Sequence, residues 1–243
     1  MKLIIDSGNT LTKIAVFNKD LITFKTEEKD TSFNAIEKIL QSYSVEAAII
    51  SDVSNTTNKI AERLTSVLPV VKMTGITPTP LKMEYQSCER LGTDRLAAAV
   101  FASAHYPHSP VLTIQAGTCI TYDFVTKDGI YKGGGISPGL DMRFKAMNTF
   151  TANLPLVKKK EISFLLGENT QDSILSGVMN GTSAEIDGII DQYIEKYPGL
   201  KVVIGGGDTF FFDKKLKNRI FAIENLVLKG LNLILEYNVN FKN

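Results

Sequence analysis

Two short stretches with one layout constrain this chain more than any other feature of it. Ile5-Asp6-Ser7-Gly8-Asn9-Thr10 and Ile114-Gln115-Ala116-Gly117-Thr118 each end an apolar strand and lead into an alternating one, marked by Ile14 and Val16 in the first copy and Ile120 and Tyr122 in the second. The second turn is one residue shorter than the first. A chain that opens each half with the same hairpin is expected to be a duplicated domain, with boundaries at 1–110 and 111–243.

The stretches around the hairpins alternate in kind. Strands are expected near 2–6, 12–17 and 21–25, a helix near 32–42, a strand near 46–51, a helix near 56–67 and a short strand near 69–73. Residues 74–90 hold two prolines and little periodicity, which predicts a loop. Behind it "TDRLAAAVFASAHY" combines an N-cap candidate with strong helix formers, so a helix should start near Asp94. The class is α/β.

Composition removes several functions. Lys and Arg total 27 against 26 Asp and Glu, so no global field draws the chain to nucleic acid or an anionic membrane. No apolar run approaches the roughly 18 residues of a membrane span, and Asp6 interrupts the place where a signal peptide would continue. Cys88 and Cys119 are too few for a disulfide framework or zinc site. A cytoplasmic protein is expected, in which the sequons at Asn55 and Asn180 carry no glycan.

The chemistry sits in the turns. A glycine turn exposes backbone N–H groups of the kind that cradle phosphate oxygens, and an acid such as Asp6 could orient the Mg²⁺ of a nucleotide. The same Gly8-Asn9 pair also makes an ordinary tight hairpin. "LGTDR" is equally double: Thr93 or Asp94 could simply cap the Ala-rich helix, or its N-terminal dipole could favour a charged Asp94 poised as a proton acceptor.

Six stretches in order carry a resemblance to a known family: "DSGNTLTK" at 6–13, "LGTDR" at 91–95, "AGTCITYD" at 116–123, "GGGISPGL" at 133–140, "NTQDSILSGVMNG" at 169–181 and "VIGGGD" at 203–208. The sequence resembles type III pantothenate kinases, members of the acetate and sugar kinase, Hsp70 and actin superfamily. That resemblance implies duplicated ribonuclease-H-like domains of the actin-like ATPase fold with ATP in the cleft between them. The implied reaction is transfer of the ATP γ-phosphoryl group to pantothenate, the first step of coenzyme A biosynthesis.

By the same resemblance Asp94 is the proton acceptor. Asp6, Ser7, Gly8, Asn9, Thr10, Leu11, Thr12 and Lys13 contact ATP, together with Thr118 of the second hairpin, and Asp6 orients Mg²⁺ from the outer shell. Tyr85, Gly92, Thr93, Asp94, Arg95 and Thr170 contact pantothenate, with Arg95 matching its carboxylate. Asp123 serves as a further carboxylate near the phosphate or metal site.

Two positions depart from the family pattern. Cys88 stands where many relatives have proline, and Gln115 stands where the family has an acid assigned to a monovalent cation, K⁺ or NH₄⁺. An amide oxygen can ligate K⁺ but brings no charge, so a weakened or altered cation requirement is expected.

"YKGGGISPGL" lacks the dinucleotide-binding spacing and matches the family's glycine-rich loop near the substrate. Thr170 is also a plausible N-cap for a long helix running toward Tyr197, and Gly177, Gly181 and Gly188 lie near one face of it. A homodimer, which the family uses to complete its pocket, or packing within the chain would each account for those glycines. His105 and His108 fit loop or surface positions, and Lys158-Lys159-Lys160 fits a solvated charge run. The alternative function is a non-catalytic nucleotide-binding relative acting through a protein partner, but no basic stripe supports DNA contact.

Overall fold

The computed structural model describes residues 1–8, 11–29, 33–52 and 57–240. In chain order they form β1 (Lys2–Ser7), β2 (Thr12–Asn18), β3 (Leu21–Glu28), α1 (Phe33–Ser42), β4 (Ala47–Asp52), α2 (Asn58–Thr65), β5 (Val70–Lys72), β6 (Lys82–Met83) and α3 (Thr93–His105). There follow β7 (Val111–Ala116), β8 (Cys119–Val125), β9 (Ile130–Pro138), α4 (Leu140–Thr149), α5 (Thr170–Lys196), β10 (Lys201–Gly205), α6 (Thr209–Phe212), β11 (Phe221–Ala222) and α7 (Leu226–Asn240).

Contacts group these elements into two units, Met1–His105 with Gly129–Tyr131 and Asn225–Asn243, and Tyr106–Asp128 with Lys132–Glu224. In the first unit the sheet order is β3-β2-β1-β4-β5, with β1 antiparallel to β2 and parallel to β4. Alternation divides its side chains between two covered faces. Leu3, Ile5, Ile14 and Val16 pack with Ile36 and Ile39 of α1 and Ile60 and Leu64 of α2. Ile4, Ala15 and Phe17 point to the other face and are also fully buried, as expected for a sheet covered on both sides.

The second face is covered by α3 and α7, which pack on each other and on the sheet. The alanines of α3 make this possible: a Cβ at Gly230 of α7 would lie 1.9 Å from the Ala97 carbonyl oxygen, so the two backbones nearly touch. This packing returns Asn225–Asn243 to the first unit, whereas the sequence assigns all of 111–243 to the second domain.

The second unit repeats the order. Its strands run β9-β8-β7-β10-β11, again with a hairpin, β7 and β8, followed by parallel pairing of the hairpin's first strand, here with β10. Leu112, Ile114, Ile120, Tyr122 and Phe124 face the helices, meeting Phe144 of α4 and Ile174, Val178 and Ile186 of α5. Thr113, Gln115, Thr121 and Asp123 alternate onto the opposite face.

Three local expectations are corrected. Residues 74–90 are not wholly loop, since they hold β6, paired with Ile130 and Tyr131, and a 3₁₀ turn at Cys88–Arg90. "YKGGGISP" is the strand β9 rather than a loop, and its glycines allow close stacking: a Cβ at Gly134 would lie 1.7 Å from the Tyr122 carbonyl oxygen. The N-cap of α5 is Asn169, whose side chain accepts a 2.9 Å bond from the Asp172 N–H, and Thr170 is the first helical residue.

Candidate active site

The site in the first unit grows from the carboxyl ends of β1 and β4, where Asp6 lies directly beside Ser51. The Ser51 hydroxyl donates to Asp6 Oδ1 at 3.1 Å, and the Ser51 and Thr93 oxygens are 2.9 Å apart. A hydroxyl has one proton, so Thr93 must donate to Ser51 while Ser51 donates to Asp6. The first residue of α3 is thereby tied to β1 through one buried serine. Asp94 follows on that first helical turn, and its Oδ1 folds back to within 2.7 Å of where a Gly92 Cβ would stand. Any side chain at Gly92 would push the carboxylate aside.

Burial and the neighbouring Asp94 charge raise the Asp6 pKa to about 6, against the opposing pull of the Ser51 hydrogen bond and of Lys13. Lys13 is the cross-strand partner of Asp6. Arg95 is buried, only 7% exposed, within α3. Tyr85 meets Tyr131 edge to face at 5.9 Å, and the Cys88 thiol donates to the Tyr85 carbonyl at 2.9 Å, tightening that loop.

Other expected contacts fall differently. Ser7 and Thr12 are buried and bond to each other at 3.1 Å, so their hydroxyls serve the hairpin. The Gly8 N–H donates to the Leu11 carbonyl at 3.1 Å, and the Gly117 N–H donates to the Cys119 carbonyl at 3.0 Å. Both turns therefore close in the same way, and these two N–H groups are already used. Asn9 and Thr10 lie outside the described residues.

In the second unit Thr118 is exposed at the hairpin turn, Gln115 is half-buried opposite Thr121, and Asp123 is fully buried opposite Thr113 on the same face. The Thr113 and Thr121 hydroxyls on that face have no hydrogen-bond partner. Thr170 is exposed at the start of α5.

Sequence reasoning missed Ser51, and it missed a clasp in the second unit. Arg143 of α4 donates from Nε to the Pro138 carbonyl at 2.8 Å, from Nη2 to Ser137 at 2.8 Å and to Glu185 of α5 at 2.5 Å. This fork fixes the end of β9. Glu185 also accepts from the Tyr122 hydroxyl at 3.2 Å. Although its partial burial opposes the charge, these donors hold its pKa below the usual range.

Among the described residues no group of three or more His, Cys, Asp or Glu could hold a metal by itself. One half-buried carboxylate with a second acid nearby suits Mg²⁺, which keeps several waters and shares itself with substrate phosphates. No described helix is long and apolar enough to cross a membrane.

Two units of one ribonuclease-H-like strand order, each opening on a glycine-turn hairpin, define the duplicated actin-like fold. A ROK family glucokinase from Streptomyces griseus shares it, with a TM-score of 0.52 at 13% identity over 97% of this chain and 98% of that one. A Campylobacter jejuni protein assigned to the Baf family of transcriptional activators aligns with a TM-score of 0.61 at 20% identity, over 98% of this chain and 99% of that one. Sequence narrows the class. The family model for type III pantothenate kinase matches residues 2–192. The chain is 42% identical over 240 residues to a type III pantothenate kinase from Christiangramia forsetii, covering 98% of this chain and 99% of that one. It is 43% identical over 239 residues to another from Bacteroides fragilis, covering 98% of each. The chain belongs to the type III pantothenate kinase family.

Proposed function

We propose that the protein transfers the γ-phosphoryl group of ATP to the primary hydroxyl of pantothenate. The observation that carries this reading is the hydrogen-bonded line from Asp6 through Ser51 to Thr93, which ties Asp6 of β1 to the first turn of α3, where Asp94 lies. Phosphoryl transfer asks for positioning and charge stabilisation more than covalent chemistry. Asp94 accepts the hydroxyl proton as the oxygen attacks, and Gly92 leaves room for its carboxylate to swing. Arg95 and Tyr85, with Gly92, Thr93 and Thr170, are the pantothenate contacts this reading assigns.

Asp6 is the residue that would hold the Mg²⁺ of the nucleotide, through water. When bound, that ion neutralises charge on the phosphate oxygens. Lys13 adds a cation on the same face as Asp6. Gly8, Asn9, Thr10, Leu11, Ser7 and Thr12 shape the first ATP-contacting turn, and Thr118 offers a hydroxyl at the second. The cytoplasm, where ATP is abundant, is the compartment this reading assigns.

Purified protein given ATP, Mg²⁺ and pantothenate should yield ADP and phosphopantothenate in equal amounts, read by mass spectrometry. ATP binding without product would instead favour the non-catalytic alternative.

The cation position is Gln115, where a neutral amide replaces an acid and the fully buried Asp123 lies two residues beyond its partner on the same face. Rates in K⁺, NH₄⁺ and Na⁺ buffers should differ less for the natural chain than for a Gln115→Asp variant. Equal ratios in the two proteins would reject this position.

A homodimer is also part of this reading. Gly177 and Gly181 are exposed on α5, and a Cβ at either would meet nothing within 4 Å. Packing among the described residues thus does not explain them. Phe150, Leu165 and Leu166 add exposed apolar surface in the same unit. Light scattering should give a dimer for the natural chain and a monomer of similar melting temperature for Gly177→Leu with Gly181→Leu. A monomeric natural chain would remove the dimer.

A further inference from the structure

The run Lys158-Lys159-Lys160 looks uniform in sequence, yet Lys159 is half-buried and ion-paired. Its Nζ donates to Asp141 Oδ2 at 2.6 Å and to Asp208 Oδ1 at 2.7 Å. The Lys159 side chain is 26% exposed and that of Asp208 only 8%. Asp141 begins a helix that rests on the turn of the second hairpin, and Asp208 belongs to a turn that rests on Ala116, where that hairpin's first strand ends.

Asp141 lies in the first turn of α4, and the Gly139 N–H just before that helix donates to the Thr118 carbonyl at 3.1 Å. A Cβ at Gly139 would lie 2.1 Å from the Gly117 carbonyl oxygen. Asp208 ends the turn after β10, where its N–H donates to the Ala116 carbonyl at 3.0 Å. Within that turn Gly206 has φ of +106° and leaves no room for a Cβ, which would lie 2.2 Å from the Ala116 oxygen. The strands feeding these turns are parallel neighbours, with Gln115 beside Gly205. Ligands of α/β sheets bind outside the carboxyl ends of such strands.

We propose that Lys159 is a positioning residue for the nucleotide, holding the start of α4 against Gly117 and Thr118 and the Gly206–Asp208 turn against Ala116, so that Thr118 meets ATP in one arrangement. The proposal rests on the reading that Thr118 contacts ATP. Removing the lysine leaves a largely buried Asp208 carboxylate without its cation, and that carboxylate gains by moving toward water. The turn moves with it. An exposed pair would have no such leverage.

The test compares Lys159→Met, Lys159→Arg and Asp208→Asn with the natural protein, using steady-state kinetics and calorimetric binding of a non-hydrolysable ATP analogue with Mg²⁺. Lys159→Met should raise the KM for ATP and weaken analogue binding by about tenfold, the scale of one charged hydrogen bond. The KM for pantothenate should stay within about twofold. Lys159→Arg should restore most of the loss, and adding Lys159→Met to Asp208→Asn should cost little more. Unchanged analogue affinity in Lys159→Met overturns the proposal, as does an equal rise in both KM values. If the natural protein binds the analogue but does not phosphorylate pantothenate, the acceptor assignment fails while calorimetry still decides the role of Lys159. Absence of analogue binding in the natural protein would overturn both.

Discussion

Asp94→Asn should lower kcat by about 10²–10⁴, the usual contribution of a positioned general base, while analogue binding and the melting temperature stay near those of the natural protein. Asparagine keeps the shape of the side chain and its place over Gly92 but cannot take up a proton at the carboxylate. The measurement is single-turnover phosphopantothenate formation at saturating substrates, which separates the chemical step from binding. Undiminished turnover would reject Asp94 as the acceptor. A comparable fall in analogue affinity would make it a binding residue instead.

Both hairpins are legible in the sequence because each sets a glycine and small polar residues between two apolar stretches, and Asp6 interrupts an otherwise apolar strand. The α3 helix is legible from its alanines, and those same small side chains are what let Gly230 of α7 close on the Ala97 backbone. That closure is invisible in sequence, because it joins residues more than a hundred positions apart and carries no local pattern. Hence the carboxyl-terminal helix joins the first unit, outside the expected boundary.

The strand β9 is obscured for a different reason. Consecutive glycines read as loop by propensity, yet Gly134 must be glycine because the Tyr122 backbone occupies the place of its side chain. Ser51 has no periodic signature either. What marks it is register, since it lies one residue before the end of β4, beside Asp6 as a parallel neighbour. Lys159 is hidden by its two lysine neighbours, which have the same residue type and different surroundings. Charge patterns report composition, whereas the pairing with Asp208 depends on where two distant loops come to rest.

Asp6→Asn should separate stability from function in opposite directions. The folded-state pKa of Asp6 is raised from 3.8 to about 6, so the native protein binds its proton more tightly than the unfolded chain does. For a raised acid the sign is a cost. Below the unfolded value both states are protonated and Asp6 is neutral in its effect. As pH rises through this window the native state must give up a favoured proton, and above about pH 6 the full penalty is present. A shift of this size sets a ceiling of about 3 kcal/mol, which partial solvent access reduces to about 1–2 kcal/mol. Asparagine cannot ionise and still accepts the Ser51 hydrogen bond. In metal-free, nucleotide-free protein at pH 8, Asp6→Asn should therefore raise the melting temperature by roughly 3–6 °C, with the gain shrinking as pH falls toward 4. At pH 8 the variant should also lose about 10³ in kcat/KM if Asp6 orients Mg²⁺ as proposed, because that carboxylate is gone. On the proposed reading the gain in stability arises from the same feature that serves activity: a carboxylate drawn out of water beside a second acid. A difference in melting temperature between variant and natural protein that is the same at pH 8 and pH 4 would show that Asp6 carries no ionisation penalty in the free protein. Full activity in a stabilised variant would move the metal-orienting role elsewhere.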